Sequence, residues 1–444
     1  MRRIKISKAR YISWQVLNSV LSEKKGWAEE LLNQHFLQKE LSLLDKNLCY
    51  ELTLGVLKFK QQLDYNLKPL LKKKWPELKC LNLLRLGIYQ ILNLNKIPDH
   101  AAVHETVNLA KKFLKLGQAK FINAILREII RRGARVYPNK TTNSLEYLSL
   151  VYSFPEFLVK RWLNRFGIED TEKMLKSINQ PPKVIARVNT NKLSRKKLEL
   201  FLASEGIKTK VSKLPNALHI LANQGNPGDF PGFAQGYFYF QDESSQLIGY
   251  LVNPKPNEVC LDFCSAPGGK ATHLAELMQN QGQVVAFDTN KARLKKLLDN
   301  VIRLELKNIK VVTKYSDLIL ADKVLVDVPC SGLGTMRRHV ETRWRITASE
   351  LLLLAKQQKE ILHRAANYVK KDGYLIYATC SMEPEENENI VKQFLSENSK
   401  FCLAPGPISE NCPTKKFWSS YGFFQTYPFA DLDGIFAARM IRKS

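Results

Sequence analysis

The sequence predicts an α/β protein in three parts: an all-helical segment over residues 1–140, a small α/β module over 144–240 and a doubly wound parallel sheet over 241–444. Three observations carry this reading. Apolar residues recur at helical spacing through the first segment without strand-like alternation. Beyond Gln241, short apolar runs alternate with helical stretches. Gly, Pro, Asn and Thr gather over Gly133–Asn143, as a linker would. A length of 444 residues suits two or three domains, at roughly 100–200 residues each.

In the helical segment, Leu81, Leu84, Ile88 and Ile91 fall on one face of Glu77–Asn95, with charges expected opposite. The same period runs through Ser42–Gln62, His100–Leu116 and Gln118–Arg132, and Gly26, Pro69, Trp75-Pro76, Pro98 and Gly117 mark the turns. Trp14, Trp27 and Trp75 read as core or capping residues. In the module, helices at Ser144–Tyr152 and Pro155–Phe166 precede Gln180-Pro181-Pro182, a strand at Val184–Asn189 and a helix at Ser194–Glu205. Val211–Leu221 and Tyr237–Phe240 look extended. In the last part, strands are expected at Glu258–Phe263, Gln283–Phe287, Lys310–Thr313, Lys323–Val328 and Tyr374–Ala378. Helices are expected at Thr272–Asn280, Lys291–Leu304 and Ser349–Val369. Such alternation builds a sheet whose ligands lie at the carboxyl ends of its strands.

With 45% hydrophobic and 25% charged residues, the composition excludes wholesale disorder, collagen and a multi-span membrane protein. The chain carries 68 Lys and Arg against 42 Asp and Glu, a net +26. Residues 1–140 hold 27 of these basic and 11 of the acidic residues, a net +16. Charge so concentrated suits a polyanion such as nucleic acid, and equally a merely soluble surface. The eight cysteines have irregular spacing and apolar flanks, so no disulfide framework is expected. Met1–Arg10 is basic, but Tyr11–Leu21 is amphipathic rather than continuously apolar. No run reaches the ~18–20 apolar residues of a membrane span. A reducing, cytoplasmic protein without membrane contact is the expectation.

Chemistry concentrates where strands end. Val259–Phe263 runs into Cys264-Ser265-Ala266-Pro267-Gly268-Gly269-Lys270, and the next strand ends at Asp288. Glycines let a ligand approach the backbone closely, and an acid after the second strand can accept from ribose hydroxyls. The turn matches neither a dinucleotide fingerprint nor a P-loop, and an ordinary strand–helix turn remains the other reading. Asp327-Val328-Pro329-Cys330 and Thr379-Cys380-Ser381 place two thiols, 50 residues apart, past the ends of two further strands. Covalent chemistry, a zinc site and simple burial are the three readings, and no close Cys-x-x-Cys pair supports zinc.

DFCSAPGGK (262–270), DVPCSGLG (327–334), RRHVETRW (337–344) and YATCSMEPEENE (377–388) together resemble the RsmB/Sun branch of the RNA 5-methylcytosine methyltransferases. Gln241–Leu247, Asp433–Ala438 and Arg187-Val188-Asn189 are similar to its flanking motifs, and residues 1–140 resemble its NusB-like RNA-binding domain. The resemblance implies a Rossmann-like methyltransferase domain that uses S-adenosylmethionine and no metal. Its substrate would be a single-stranded or flipped cytosine in RNA, small-subunit (16S) ribosomal RNA above all, and the enzyme a monomer. By matching motif, Cys264, Ser265, Ala266, Pro267, Gly268, Gly269 and Lys270 would surround the cofactor. Asp288 would hold its ribose, Asp317 its adenine, and Asp327 would lie beside both cofactor and base. Cys380 would be the nucleophile, and Cys330 would assist product release. Arg337, Arg338, Arg343, Trp344 and Arg345 are expected to face RNA. The familiar histidine-rich closing motif is replaced by Thr426-Tyr427-Pro428, which leaves the contacts there open. A non-catalytic ribosome assembly factor and a DNA cytosine methyltransferase are the competing functions. Paired thiols argue against the first, and the Thr-Cys motif with the NusB-like segment against the second.

Overall fold

The structure is a computed structural model and describes residues 6–22, 26–71, 74–221, 227–406 and 412–443, so the basic start at 1–5 lies outside it. The chain divides into two compact units, Met1–Gln180 with Met336–Arg345, and Pro181–Thr335 with Ile346–Ser444.

The first unit contains α1 (Lys8–Ser22), α2 (Ala28–Gln38), α3 (Leu43–Leu67), α4 (Leu78–Asn93), α5 (Asp99–Phe113), α6 (Leu116–Arg132), α7 (Ser144–Tyr152) and α8 (Glu156–Ile178), with the single turn α13 (Thr342–Arg345) from far along the chain. α4 is its centre: every residue from Cys80 to Gln90 is buried, because Leu83 and Leu86 add apolar surface beyond the predicted stripe. Lys79 is exposed on it as expected, but the charge of Arg85 does not face solvent. Arg85 is buried and forks onto both oxygens of Asp64 at 2.7 and 2.8 Å, which is how a guanidinium survives inside. Trp14 is in the core, Trp27 occupies the N-cap position of α2, and Trp75 is half exposed.

The compact units do not part at 133–143: α7 and α8 stay with the helical unit, and the division falls after Gln180. The first helical piece of α8 ends at Phe166 as expected: Gly167, at φ 73 and ψ 178, is non-helical, a conformation glycine adopts without strain, and a second helical piece runs on to Ile178.

The second unit holds two sheets. β1 (Val184–Val188), β2 (Thr209–Val211), β3 (Ala217–Ile220) and β4 (Phe238–Phe240) form an antiparallel sheet in the order β2-β3-β1-β4. α9 (Arg195–Ser204) covers it through Leu198 and Leu202. The larger sheet has β5 (Val259–Phe263), β6 (Gln283–Phe287), β7 (Ile309–Val312), β8 (Ala321–Asp327) and β9 (Val369–Thr379) in parallel, ordered β9-β8-β5-β6-β7. β10 (Phe401–Leu403), β11 (Phe424–Thr426) and β12 (Ile435–Arg442) extend it antiparallel beyond β9. Its helices are α10 (Glu243–Val252), α11 (Gly269–Leu277), α12 (Lys291–Leu304), α14 (Ala348–Ala366) and α15 (Glu388–Glu397). Phe263 pairs with Phe287 and Val326, Phe287 with Val312, and Asp327 with Ala378. All five parallel strands therefore end level, and the segments that follow them emerge at one edge.

Among the described residues, no helix is long and apolar enough to cross a membrane.

Candidate functional site

At that edge the turn after β5 doubles back immediately. The N–H groups of Cys264 and Ser265 both donate to the Phe287 carbonyl, at 2.9 Å each, and Cys264 is left-handed at φ 74. Gly268 follows at φ 104, and a Cβ there would come within 2.8 Å of Leu297. Asp288, at the end of β6, braces the turn: its carboxylate accepts from Ala266 N–H at 3.1 Å and Asn290 N–H at 2.8 Å. The Ser265 hydroxyl is buried and has no partner among the described residues.

The smaller sheet supports the same turn from within the unit. Arg187 of β1, fully buried, donates to the Gly269 carbonyl at 2.7 Å, to Thr272 Oγ1 at 2.9 Å and to both oxygens of Glu276 at 2.9 Å. Gln241 is a further acceptor, and the Tyr239 ring lies 5.0 Å from the guanidinium carbon. Burial pushes the Glu276 carboxyl up and Arg187 opposes it, so breaking this pair would leave a charge stranded in the core.

Lys270, on the first turn of α11, reaches Asp327 at the end of β8, with Nζ 2.6 Å from Oδ2. Burial works against its ammonium, but Asp327 first, then Cys380 and Asp262, outweigh it and raise the pKa. Behind them, Asp262 in β5 has no exposed surface. Neither of its oxygens has a hydrogen-bond partner that meets full bonding geometry among the described residues. Burial, then the charges of Asp327 and Asp288, push the Asp262 carboxyl well above its usual range, against Lys270. Burial and Asp288 likewise push the Cys264 thiol up to about 12.

The two other thiols meet. Cys330 Sγ is 2.7 Å from Cys380 Sγ, and Cys380 N–H also donates to Cys330 Sγ at 3.2 Å. The hydrogen bond to Cys380, then burial, then the charges of Cys380, Glu386 and Asp327, hold the Cys330 thiol well above its ordinary value. These surroundings favour the thiol form of Cys330. Gly334 N–H donates to the Cys380 carbonyl at 2.9 Å, and Gly434 N–H to the Gly334 carbonyl at 2.8 Å. A Cβ on Gly334 would stand 1.8 Å from the Gly434 carbonyl oxygen, so no larger residue fits that crossing.

Glu386, 0% exposed, lies between the thiol loops. One oxygen accepts from Ser331 N–H at 2.8 Å and Gln358 Nε2 at 2.8 Å. The other accepts from Ser331 Oγ at 2.6 Å and from Ser381 Oγ.

The fold thus gathers Cys264–Lys270, Asp288, Asp327, Cys330 and Cys380 at one edge. Asp317 stands apart: it follows β7 on the same edge, but it is exposed and accepts only from Ser316 Oγ at 3.1 Å. Of the arginine-rich segment, Arg337 and Arg343 do not face solvent as expected, whereas Arg338, Trp344 and Arg345 stay partly exposed. Arg343 is fully buried, stacks 3.9 Å from the Phe154 ring and donates to Asn179 Oδ1 at 2.9 Å. Arg337 is buried and donates to Ser177 Oγ at 2.8 Å, Trp344 Nε1 donates to the Leu57 carbonyl at 2.6 Å, and Arg345 lies over the Trp27 ring. Arg338 is half-buried. Long cationic side chains with a flat guanidinium pack and stack as readily as they bind phosphate. Sequence reasoning missed Asp262, Glu386 and the core role of Arg187, although all three lie in motifs it singled out. A carboxylate in an apolar strand was the available signal for Asp262.

The arrangement joins a thiol pair in hydrogen-bond contact, a nearby ammonium and a glycine turn braced by an acid. Residues 249–441 match the family described as 16S rRNA methyltransferase RsmB/F, residues 7–131 the NusB family, and residues 154–225 the RsmF/B-like ferredoxin-like domain. A probable ribosomal RNA small subunit methyltransferase B of Bacillus subtilis is 37% identical over 394 residues, covering 86% of this chain and 87% of its own length. The crystal structure of PH0851 has a TM-score of 0.81 at 26% identity, covering 97% of this chain and 98% of that one. The crystal structure of NSun6 from Pyrococcus horikoshii with SFG, an S-adenosylmethionine analogue, has a TM-score of 0.59 at 25% identity, covering 66% of this chain and 100% of that one.

Proposed function

The chain belongs to the RsmB/Sun family of ribosomal RNA methyltransferases, and from that premise we propose that it methylates carbon 5 of a cytosine in small-subunit ribosomal RNA through a covalent cysteine–base adduct, with S-adenosylmethionine as donor. The observation that carries the reading is the 2.7 Å contact between Cys330 and Cys380 at the ends of two adjacent parallel strands. Two thiols so placed are of little use to a protein that only binds RNA.

The residues present suit the cofactor. Asp288 keeps lone pairs beyond those spent on Ala266 and Asn290, the buried Ser265 hydroxyl lacks a partner among the described residues, and Gly268 keeps the turn free of side chain. Cys264–Lys270, Asp288 and Asp327 would hold it, with Asp317 at the exposed end. The relative NSun6 carries SFG, which supports the same ligand class here. When bound, S-adenosylmethionine supplies an electrophilic methyl group on a sulfonium centre.

Cytosine carbon 5 is too weakly nucleophilic to take that methyl unaided. Cys380 as thiolate adds to carbon 6, and its electron pair makes carbon 5 an enamine-like nucleophile. As thiolate, Cys380 can accept the Cys330 S–H across their contact, and the Lys270 ammonium, kept charged beside Asp327, lies near it. For release, the carbon 5–hydrogen bond breaks and its pair forms the carbon 5–carbon 6 double bond. The carbon 6–sulfur bond breaks in turn, and its pair returns to Cys380. Cys330 relays the departing proton, passing its own to solvent as it accepts the one from carbon 5. The +16 charge of residues 1–140 supports affinity for the phosphate backbone without sequence readout.

The test is direct. Incubated with methyl-labelled S-adenosylmethionine and small-subunit ribosomal RNA, the chain should yield labelled 5-methylcytidine on nuclease digestion. Label on another nucleoside, or on DNA alone, would overturn the reading.

A further inference from the structure

We propose that Glu386 is a positioning residue that holds Cys330 against Cys380, and that release of methylated RNA from the adduct depends on it more than adduct formation does. The inference rests on the reading of the two thiols given above.

Glu386 touches neither sulfur. It binds the residue after each one: Ser331 follows Cys330, Ser381 follows Cys380, and both hydroxyls donate to the same carboxylate oxygen. Ser331 Oγ also approaches Ser381 Oγ at 3.2 Å, so the three residues close a triangle. The other oxygen takes the Ser331 N–H and the Gln358 amide, which ties the Cys330 loop to α14. The backbone of Glu386 is fixed in turn, because Tyr377 of β9 donates its hydroxyl to the Glu386 carbonyl at 2.6 Å. Every contact the structure gives this buried carboxylate is a neutral donor, and two of the four come from the residue beside Cys330. A group whose only task was to neutralise a cation would look different.

Adduct formation and release place unequal demands on the pair. Addition to carbon 6 needs Cys380 and the ammonium beside it. Release needs both sulfurs at one base at once, with Cys380 bonded to it and Cys330 within reach of the hydrogen on carbon 5. Loosening the tie between the loops therefore weakens the second step more.

The experiment compares Glu386→Gln, Ser331→Ala and Cys330→Ala in the full chain with wild type. It measures kcat and KM for RNA, the fraction of protein in covalent complex with RNA on denaturing gels, and S-adenosylmethionine binding by calorimetry. Glu386→Gln keeps the shape but turns one acceptor into a donor facing donors. Its kcat should fall on the order of tenfold or more with KM changed less than about threefold. The covalent fraction should rise and cofactor affinity should stay within about twofold of wild type. Ser331→Ala removes only the contacts of one hydroxyl, so it should show the same pattern more weakly, and it decides the matter if Glu386→Gln does not fold. Wild-type turnover in Glu386→Gln, or kcat and adduct falling together, would overturn the inference. If Cys330→Ala also accumulates no adduct, the reading of the thiols fails; if it does accumulate adduct while the Glu386 and Ser331 variants do not, only the role of Glu386 fails.

Discussion

Lys270 and Asp327 meet at 2.6 Å across the ends of two different structural elements, the first turn of α11 and the last residue of β8. The pair keeps an ammonium near Cys380 despite burial. Lys270→Met should slow alkylation of Cys380 by iodoacetamide at neutral pH and lower kcat by roughly tenfold to a hundredfold, the size of a lost charge-assisted contact. Unaltered alkylation would remove Lys270 from activation of the thiol.

The two thiols should not be interchangeable. Cys380→Ala should abolish both methylation and the covalent complex, whereas Cys330→Ala should retain the complex and slow its release. Adduct that persists in Cys380→Ala and vanishes in Cys330→Ala would exchange their roles and favour DNA-type chemistry.

Asp288 braces the turn, and in the function proposed above it also binds the cofactor. Asp288→Ala should weaken S-adenosylmethionine binding by about 1–3 kcal/mol, roughly tenfold to a hundredfold, with RNA affinity nearly unchanged. Calorimetry showing equal affinity in wild type and variant would dismiss it as a ligand.

Arg343 supplies a contrast with surface arginines. Fully buried against Phe154, it should act on stability: Arg343→Ala should cost about 2–4 kcal/mol through lost packing and the unpaired Asn179 acceptor. Thermal unfolding would report this. A salt slope of RNA binding that became shallower, with no change in melting temperature, would return it to the RNA surface.

Asp262 should tilt the pH dependence of folding. Its carboxyl titrates higher in the folded state than in the unfolded chain. Above the ordinary aspartate range the folded state therefore binds the extra proton, and this group's contribution to stability falls as pH rises through that window. Below the unfolded value the contribution is constant. Urea midpoints measured from acid to neutral pH should decline less with pH in Asp262→Asn than in wild type. Parallel curves would contradict the shift.

Much of this was legible because it rests on local pattern. The strands β5 to β8 and helix α12 announce themselves by apolar runs and a helical period, and a strand that ends in a glycine turn fixes where Cys264–Lys270 must lie. What stayed hidden is long-range. Arg337 and Arg343 read as phosphate ligands because a guanidinium looks alike in sequence whether it meets solvent or Phe154. Arg85 was expected on a polar face, yet Asp64, 21 residues away, lets it sit inside. β12 was seen only as a motif, since its partners are β9, β10 and β11 and no local alternation shows which edge it joins. Glu386 makes its bonds to two loops that are distant in sequence, and no spacing rule points to both.

The contact between Gly334 and Gly434 also bears on when the protein can work. Cys380 is braced through the Gly334 N–H, and Gly334 is braced by the N–H of a residue 100 positions later, at the entry to β12. During synthesis the amino-terminal parts fold first, so the helical unit and the five parallel strands can be in place while residues 434–442 are still within the ribosome. Until β12 pairs with β9, the loop bearing Cys380 lacks one of its walls. Catalytic competence is therefore acquired only once β12 has been made and paired, rather than growing with chain length. An incomplete product can carry the basic helical unit without the finished thiol pocket.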